Sequence, residues 1–371
     1  MLMVKSVQIA WLFAFLPFAY VAEAQNSAVR MNQIQAIGTH NSYRLAPPRE
    51  LLSLIAIGSP KEAEALDYAH LPIVDQLNEL KIRQLELDLY ADPNGGLFAN
   101  PIGYATLSRD QKETQPHPNA NGALDAPGMK VLHSPGFDYR STEPTFVAAL
   151  RSIRQWSQSH RSHIPILILV ELKQSAVGPV LVNPVPFDRE QLDSVDREIR
   201  SVFGEDEFIS PDQIRDQHKH LRDAVAANGW PLLEDVRGQV WFAMDNEGDI
   251  RDLYLHDHPS LRGRAMFVSV PPEHSAAAFR KLNDPVGQFR EIQRAVHGGL
   301  IVRTRADAET RQARSGDTSR RDKAFQSGAQ FISTDYPIPD PRWTDYQVNL
   351  PGHAEYRVIP RSLLSRDAPN E

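Results

Sequence analysis

The chain has no cysteine among its 371 residues, which excludes disulfides, thiolate nucleophiles and cysteine metal ligands. Any bound metal must be held by oxygen or imidazole, and an oxygen-rich set favours a hard cation. Positive charge is not in excess either. Against 47 Asp and Glu stand 40 Lys and Arg, a net charge of −7, and the pI is near 6.0. The whole chain therefore exerts no attraction for nucleic acid or an anionic bilayer, no nucleic-acid partner is expected, and an acidic ligand needs a local basic site. Long apolar runs are scarce: beyond the first residues, no segment approaches the ~20 apolar residues of a membrane-spanning helix.

What is present begins with a leader pattern. Lys5 supplies a positive start, Ile9 to Tyr20 is an apolar run broken by Pro17, and Ala22-Glu23-Ala24 has the small-x-small form of a cleavage site. Residues 1–24 are expected to be a secretory signal, and the remainder, 25–371, a single catalytic domain in a secreted or periplasmic protein. A hydrophobic content of 41% describes an ordinary globular chain, and a monomer is expected.

Along the mature chain, apolar β-rich runs alternate with segments of helical periodicity. Strands are expected at Gln35 to Thr39, Ile82 to Leu89, Met129 to His133, Ile164 to Leu172, Val240 to Met244, Ala265 to Val270, Leu300 to Thr304 and Gln330 to Thr334. Helices are expected at Thr145 to Ser159, Arg189 to Phe203 and Phe289 to His297, where apolar residues recur at three- and four-residue steps. The alternation predicts a (β/α)8 TIM barrel. Asp92 to Pro127 and Gly178 to Pro186 read as irregular excursions, and the Pro-rich tail from about residue 337 as a covering segment.

Four of the expected strands end in chemistry-bearing residues: Gly-Thr-His40-Asn41, Glu86-Leu-Asp88, Val-Leu-His133 and Val-Glu171-Leu-Lys173. Strand ends converge on the C-terminal face of such a barrel, where its chemistry lies. The period of two turns Glu86 with Asp88, and Glu171 with Lys173, to one side. Three converging acids need a counter-charge, which a divalent cation supplies. Two histidines, titrating near neutrality, suit a phosphodiester that needs a base on one side and an acid on the other. Taken singly, each residue also has a structural reading: a hydrogen-bonded histidine, Asn41 as a turn residue, the acids in ion pairs.

These motifs, with Val-Arg303-Thr-Arg305-Ala-Asp307 and Ile-Ser333-Thr334-Asp335-Tyr336, resemble the calcium-dependent phosphatidylinositol-specific phospholipases C, in particular their secreted bacterial branch. The resemblance runs from about Met31 to Tyr336. It implies a phosphodiesterase of the phospholipase C type acting on phosphatidylinositol or a related inositol phosphodiester. It further implies His40 as general base and His133 as general acid, Asn41, Glu86, Asp88 and Glu171 as ligands of Ca2+ (with Mg2+ tolerated), and Lys173, Arg303 and Arg305 on the phosphate. Bilayer contact would be transient, through loops at the barrel mouth. Glycerophosphodiester phosphodiesterases and phospholipase D toxins combine similar residues, but usually carry His-Arg-Gly where this chain has His40-Asn41-Ser42. A non-catalytic inositol-phosphate-binding protein is the third reading.

Overall fold

The computed structural model describes residues 28–175 and 183–364, so the expected leader and most of the 178–186 excursion lie outside the described residues. Its apolar runs form β1 (Ile34–Thr39), β2 (Gln84–Tyr90), β3 (Lys130–Val131), β4 (Ile166–Leu172), β5 (Phe208–Ile209), β6 (Val240–Met244), β7 (Met266–Val268), β8 (Phe279–Lys281), β9 (Ile301–Arg305), β10 (Phe331–Thr334) and β11 (Arg357–Val358). Every residue of β1 and β2 is buried, as is β4 apart from Glu171. Burial on both faces is why these strands read as nearly continuous apolar runs, without polar alternation.

Parallel pairing runs β6–β4–β2–β1–β10–β9–β8, and the other side of β6 is shared by β5, along its start, and β7, along its end. One parallel bridge, Ser269 to Phe279, links β7 to β8 and completes a ring of eight parallel strands with one thin seam. The expected TIM-barrel class is the observed one, but one of its staves is different. Met129 to His133 is not a barrel strand: only Lys130–Val131 is extended, and it pairs antiparallel with the end of β2. The missing stave is β8, three residues long, which the sequence does not announce.

Helices pack outside the ring. Phe146–Ser159 starts where the Thr145 side chain accepts from the Ala148 amide, and it buries Phe146, Ala149, Leu150, Ile153 and Trp156 along one stripe. Arg189–Val202 starts at Asp188, which accepts from Gln191, and it buries Leu192, Val195 and Ile199. Phe289–His297 has the expected bounds. Trp230 and Trp241 pack in the core with centroids 5.9 Å apart and ring planes inclined at 57°.

The 92–127 excursion is mostly turns, with short helices at Ile102–Thr106 and Arg109–Thr114. The tail covers the barrel, burying Tyr346, Val348 and Leu350, and then adds β11 antiparallel to the start of β1. No helix among the described residues is long and apolar enough to cross a membrane.

Candidate active site

β1 delivers the first histidine. Gly38 lies so close to β2 that a Cβ there would meet Gln84 Oε1 at 2.0 Å, so only glycine lets the two strands approach at this point. Two residues on, His40 leaves the strand, and Asn41 turns the chain with φ of 49°, a left-handed conformation that asparagine tolerates. His40 Nδ1 lies 2.8 Å from Asp335 Oδ1 and 3.1 Å from the Tyr68 hydroxyl. Its Nε2 faces Arg305 at 3.3 Å and Glu86 Oε1 at 3.7 Å. Burial and the Arg305 charge hold the imidazole at about 3 despite Asp335, so it is neutral at pH 7.

His133 follows the β3 hairpin and therefore arrives from a loop. Its Nδ1 lies 2.8 Å from Asp138 Oδ2, and the same oxygen accepts from buried Arg44 at 2.8 Å. Burial works against the Asp138 carboxylate, but Arg44 and His133 outweigh it and hold its pKa below the usual range. Both histidines line one cavity of about 280 Å³, with Asn41, Tyr68, Arg305 and Asp335.

The acids gather beside them. One carboxylate oxygen from each of Glu86, Asp88 and Glu171 lies within 4.8 Å of the others, and register places Asp88 directly across from Glu171. Burial first, and then the charges of Asp88 and Asp245, push Glu86 up to about 8 and Glu171 up to about 7, against the pull of Arg303 and Lys173 respectively. Asp88 Oδ1 and Asn41 Oδ1 are buried without a hydrogen-bond partner among the described residues. Crowded carboxylates plus orphaned acceptors are what a hard divalent cation satisfies, so the residues present fit Ca2+.

The expected basic residues divide. Lys173 Nζ reaches Asp88 Oδ2 at 3.2 Å and Glu171 Oε2 at 3.3 Å; burial disfavours its charge, but the two carboxylates more than compensate and raise its pKa. Arg305 lines the cavity and pairs with Asp335 Oδ2 at 3.0 Å. Arg303, only 1% exposed, is held beneath the cavity by Glu86, by Ser333 at 3.0 Å and by Asn283 at 2.5 Å. Asp307 buttresses Asp335 by accepting its amide at 2.8 Å.

Sequence reasoning passed over three contributors. Asp138 stands five residues after His133 with no strand-end signal. Tyr68 touches His40, and His70 reaches the His40 carbonyl with Nε2 at 2.8 Å.

A parallel barrel with its polar side chains at the strand ends is the frame of a barrel enzyme, and the paired histidines beside an acid cluster suit phosphodiester chemistry. Residues 29–360 match the family described as phosphoinositide phospholipase C, Ca2+-dependent. The chain belongs to that family of phosphodiesterases. No curated protein sequence matches it. Among solved structures, it is similar to a calcium-dependent phosphoinositol-specific phospholipase C from Pseudomonas sp in its myoinositol complex, at 15% identity and a TM-score of 0.56, over 90% of this chain and 96% of the other. A Ca2+-dependent phosphatidylinositol-specific phospholipase C from Streptomyces antibioticus aligns at 16% identity and a TM-score of 0.51, over 84% and 96%. At these identities the likeness is one of fold.

Proposed function

We propose that this protein is a secreted, Ca2+-dependent phospholipase C that cleaves phosphatidylinositol or a closely related inositol phosphodiester by acid–base catalysis with His40 and His133. The observation that carries the reading is the pair of histidines in one cavity, each with Nδ1 held at 2.8 Å by a buried carboxylate, with Glu86 linking the first to the acid cluster. Holding Nδ1 leaves each Nε2 for proton transfer.

His40, neutral in the free protein, takes the proton from the ring hydroxyl beside the phosphate. That oxygen forms the new bond to phosphorus as the bond to the glycerol oxygen breaks, and His133 gives the departing oxygen its proton. Arg305 and Lys173 face the phosphate oxygens. An anion beside Arg305 offsets the charge that depresses His40 and so strengthens it as a base. Asn41, Glu86, Asp88 and Glu171 would hold Ca2+, which when bound supplies charge stabilisation to the phosphate and acidifies the attacking hydroxyl. Arg303 holds Glu86 in place from below. Contact with a lipid surface is transient and made at the barrel mouth, and residues 1–24 direct export.

The test is turnover of phosphatidylinositol with Ca2+ by the purified protein and by His40→Ala and His133→Ala. Each substitution is expected to lower kcat by about 10²- to 10⁴-fold with the fold intact by circular dichroism. Unchanged turnover in either variant contradicts the two-histidine mechanism, and no turnover by the parent on any phosphodiester leaves the non-catalytic binding reading.

A further inference from the structure

Each histidine–carboxylate pair carries an arginine, and the two arginines differ in what can reach them. Asp335, which holds His40, pairs with Arg305 at 3.0 Å, and Arg305 lines the cavity, where an anion would meet it. Asp138, which holds His133, takes Arg44 Nε at 2.8 Å on the same Oδ2 that faces His133 Nδ1. Arg44 is 0% exposed, so no substrate phosphate touches it. Its charge persists whatever fills the cavity.

Arg44 is also fixed on its other side. Its Nη1 and Nη2 donate to the carbonyls of Tyr68 and Leu66, both at 2.6 Å, and its guanidinium carbon lies 4.3 Å from the centroid of the Tyr68 ring. A planar fork reaches three acceptors at once, which an ammonium on a flexible stem does not reproduce. Burial works against the charge, but Asp138 outweighs it and holds Arg44 above its ordinary value. The backbone around Arg44 is joined to the His133 loop as well: Leu45 donates to the Arg140 carbonyl at 3.3 Å, and Thr142 to that of Tyr43 at 2.8 Å.

A carboxylate alone holds an imidazolium proton tightly, which suits a base that has just taken one and handicaps an acid that must give one up. A guanidinium on the same oxygen draws off part of that hold. We propose that Arg44 is the positioning residue that makes His133 the acid of the pair: by sharing Asp138 Oδ2 with the imidazole, it fixes the ring and weakens the carboxylate's grip on the proton meant for the leaving oxygen. This rests on the phospholipase C reading above. Lys61 and Glu62 on the helix Pro60–Ala65, with Glu309, Arg305, Asp335 and His40, face His133 across the cavity, and the Tyr90 hydroxyl donates to its carbonyl at 3.3 Å. Arg44 is buried on the Asp138 side of the ring.

The experiment follows kcat against pH, with Ca2+ present, on two substrates. One is phosphatidylinositol, whose glycerol oxygen needs a proton to depart; the other is nitrophenyl inositol phosphate, whose nitrophenolate leaves without one. The variants are Arg44→Gln, Asp138→Asn and the two combined. Arg44→Gln is expected to lose at least about tenfold more kcat on phosphatidylinositol than on the nitrophenyl substrate, with KM within about threefold of the parent. The alkaline limb of its phosphatidylinositol profile is expected to rise by about one pH unit. Equal losses on both substrates, or a limb that does not rise, overturn the proposal and leave Arg44 a core ion pair. Should Arg44→Gln fail to fold, the double variant decides, because removing both buried charges costs less than stranding one. Its alkaline limb is expected above that of Asp138→Asn; a limb at or below it, or a double variant that also fails to fold, overturns the proposal. Should the parent turn over neither substrate, the function reading fails, and proton NMR of the His133 ring across pH decides Arg44 separately. A titration point raised by about one unit in Arg44→Gln, or in the double variant relative to Asp138→Asn, supports the proposal, and an unmoved one overturns it.

Discussion

His40 and His133 each commit Nδ1 to a buried carboxylate, Asp335 and Asp138, which fixes the ring plane and the tautomer before any substrate arrives. For His40 the carboxylate also opposes the combined pull of burial and Arg305 on its charge, so in the proposed mechanism it would stabilise the imidazolium formed when the proton is taken. Asp335→Asn keeps the shape and removes that charge. It is expected to lower kcat by about 10²- to 10⁴-fold with little change in KM, checked by steady-state kinetics on phosphatidylinositol. At this scale the acids and histidines were legible because strand ends and a period of two expose them. Asp335 was legible only as part of a strand-end motif, and its grip on His40 comes from adjacency of β1 and β10, strands nearly 300 positions apart in sequence. Asp138 was not legible, because its link to His133 is made across a loop with no periodicity.

Elements carry the next level of control. The hairpin that precedes His133 is anchored to the helix Arg189–Val202 through Glu198, whose Oε1 accepts the Met129 amide at 2.9 Å. Burial raises this carboxyl to about 7, with the Met129 amide and Lys130 offsetting part of the effect. A folded-state value above the unfolded one means that the native protein holds the proton more tightly. The associated stability is present below about pH 4.5 and is lost as pH rises through about 7. Between pH 5 and 8 the parent is expected to lose about 1–2 kcal/mol more than Glu198→Gln, as read by chemical denaturation at each pH. The expected strand at Met129 to His133 shows how element reading failed locally: Met129, Val131 and Leu132 give it the composition of a barrel strand, yet Lys130–Val131 pairs antiparallel with the end of β2 as a hairpin arm. β8 went unseen because three residues after a run of alanines carry no period, and the ring around them supplies the order.

Across the whole molecule, the tail is a structural part of the barrel. Tyr346, Val348 and Leu350 are buried, and Glu355 pairs with Arg83 at 2.5 Å at the opposite end from the chemistry. Burying three such side chains is worth about 5–8 kcal/mol, comparable with the ~5–15 kcal/mol that holds a typical protein folded. Truncation after Tyr336 is accordingly expected to lower the melting temperature by well over 10 °C or to prevent soluble expression, as followed by calorimetry. The barrel was legible from the sequence as an alternation of runs, since buried parallel strands and amphipathic helices each leave their own period. The thin β7–β8 seam was not, because it arises from distant segments meeting.

The central claim is that the acid cluster, filled by Ca2+, and the two steered histidines act together on one inositol phosphodiester. The most direct measurement is phosphorus NMR of phosphatidylinositol with the purified protein as Ca2+ is titrated in and then chelated. The account predicts a water-soluble inositol phosphate whose release saturates with Ca2+, stops on chelation, and is absent in Asp88→Asn at the same Ca2+. Undiminished release in the presence of chelator, or none at saturating Ca2+, would contradict it.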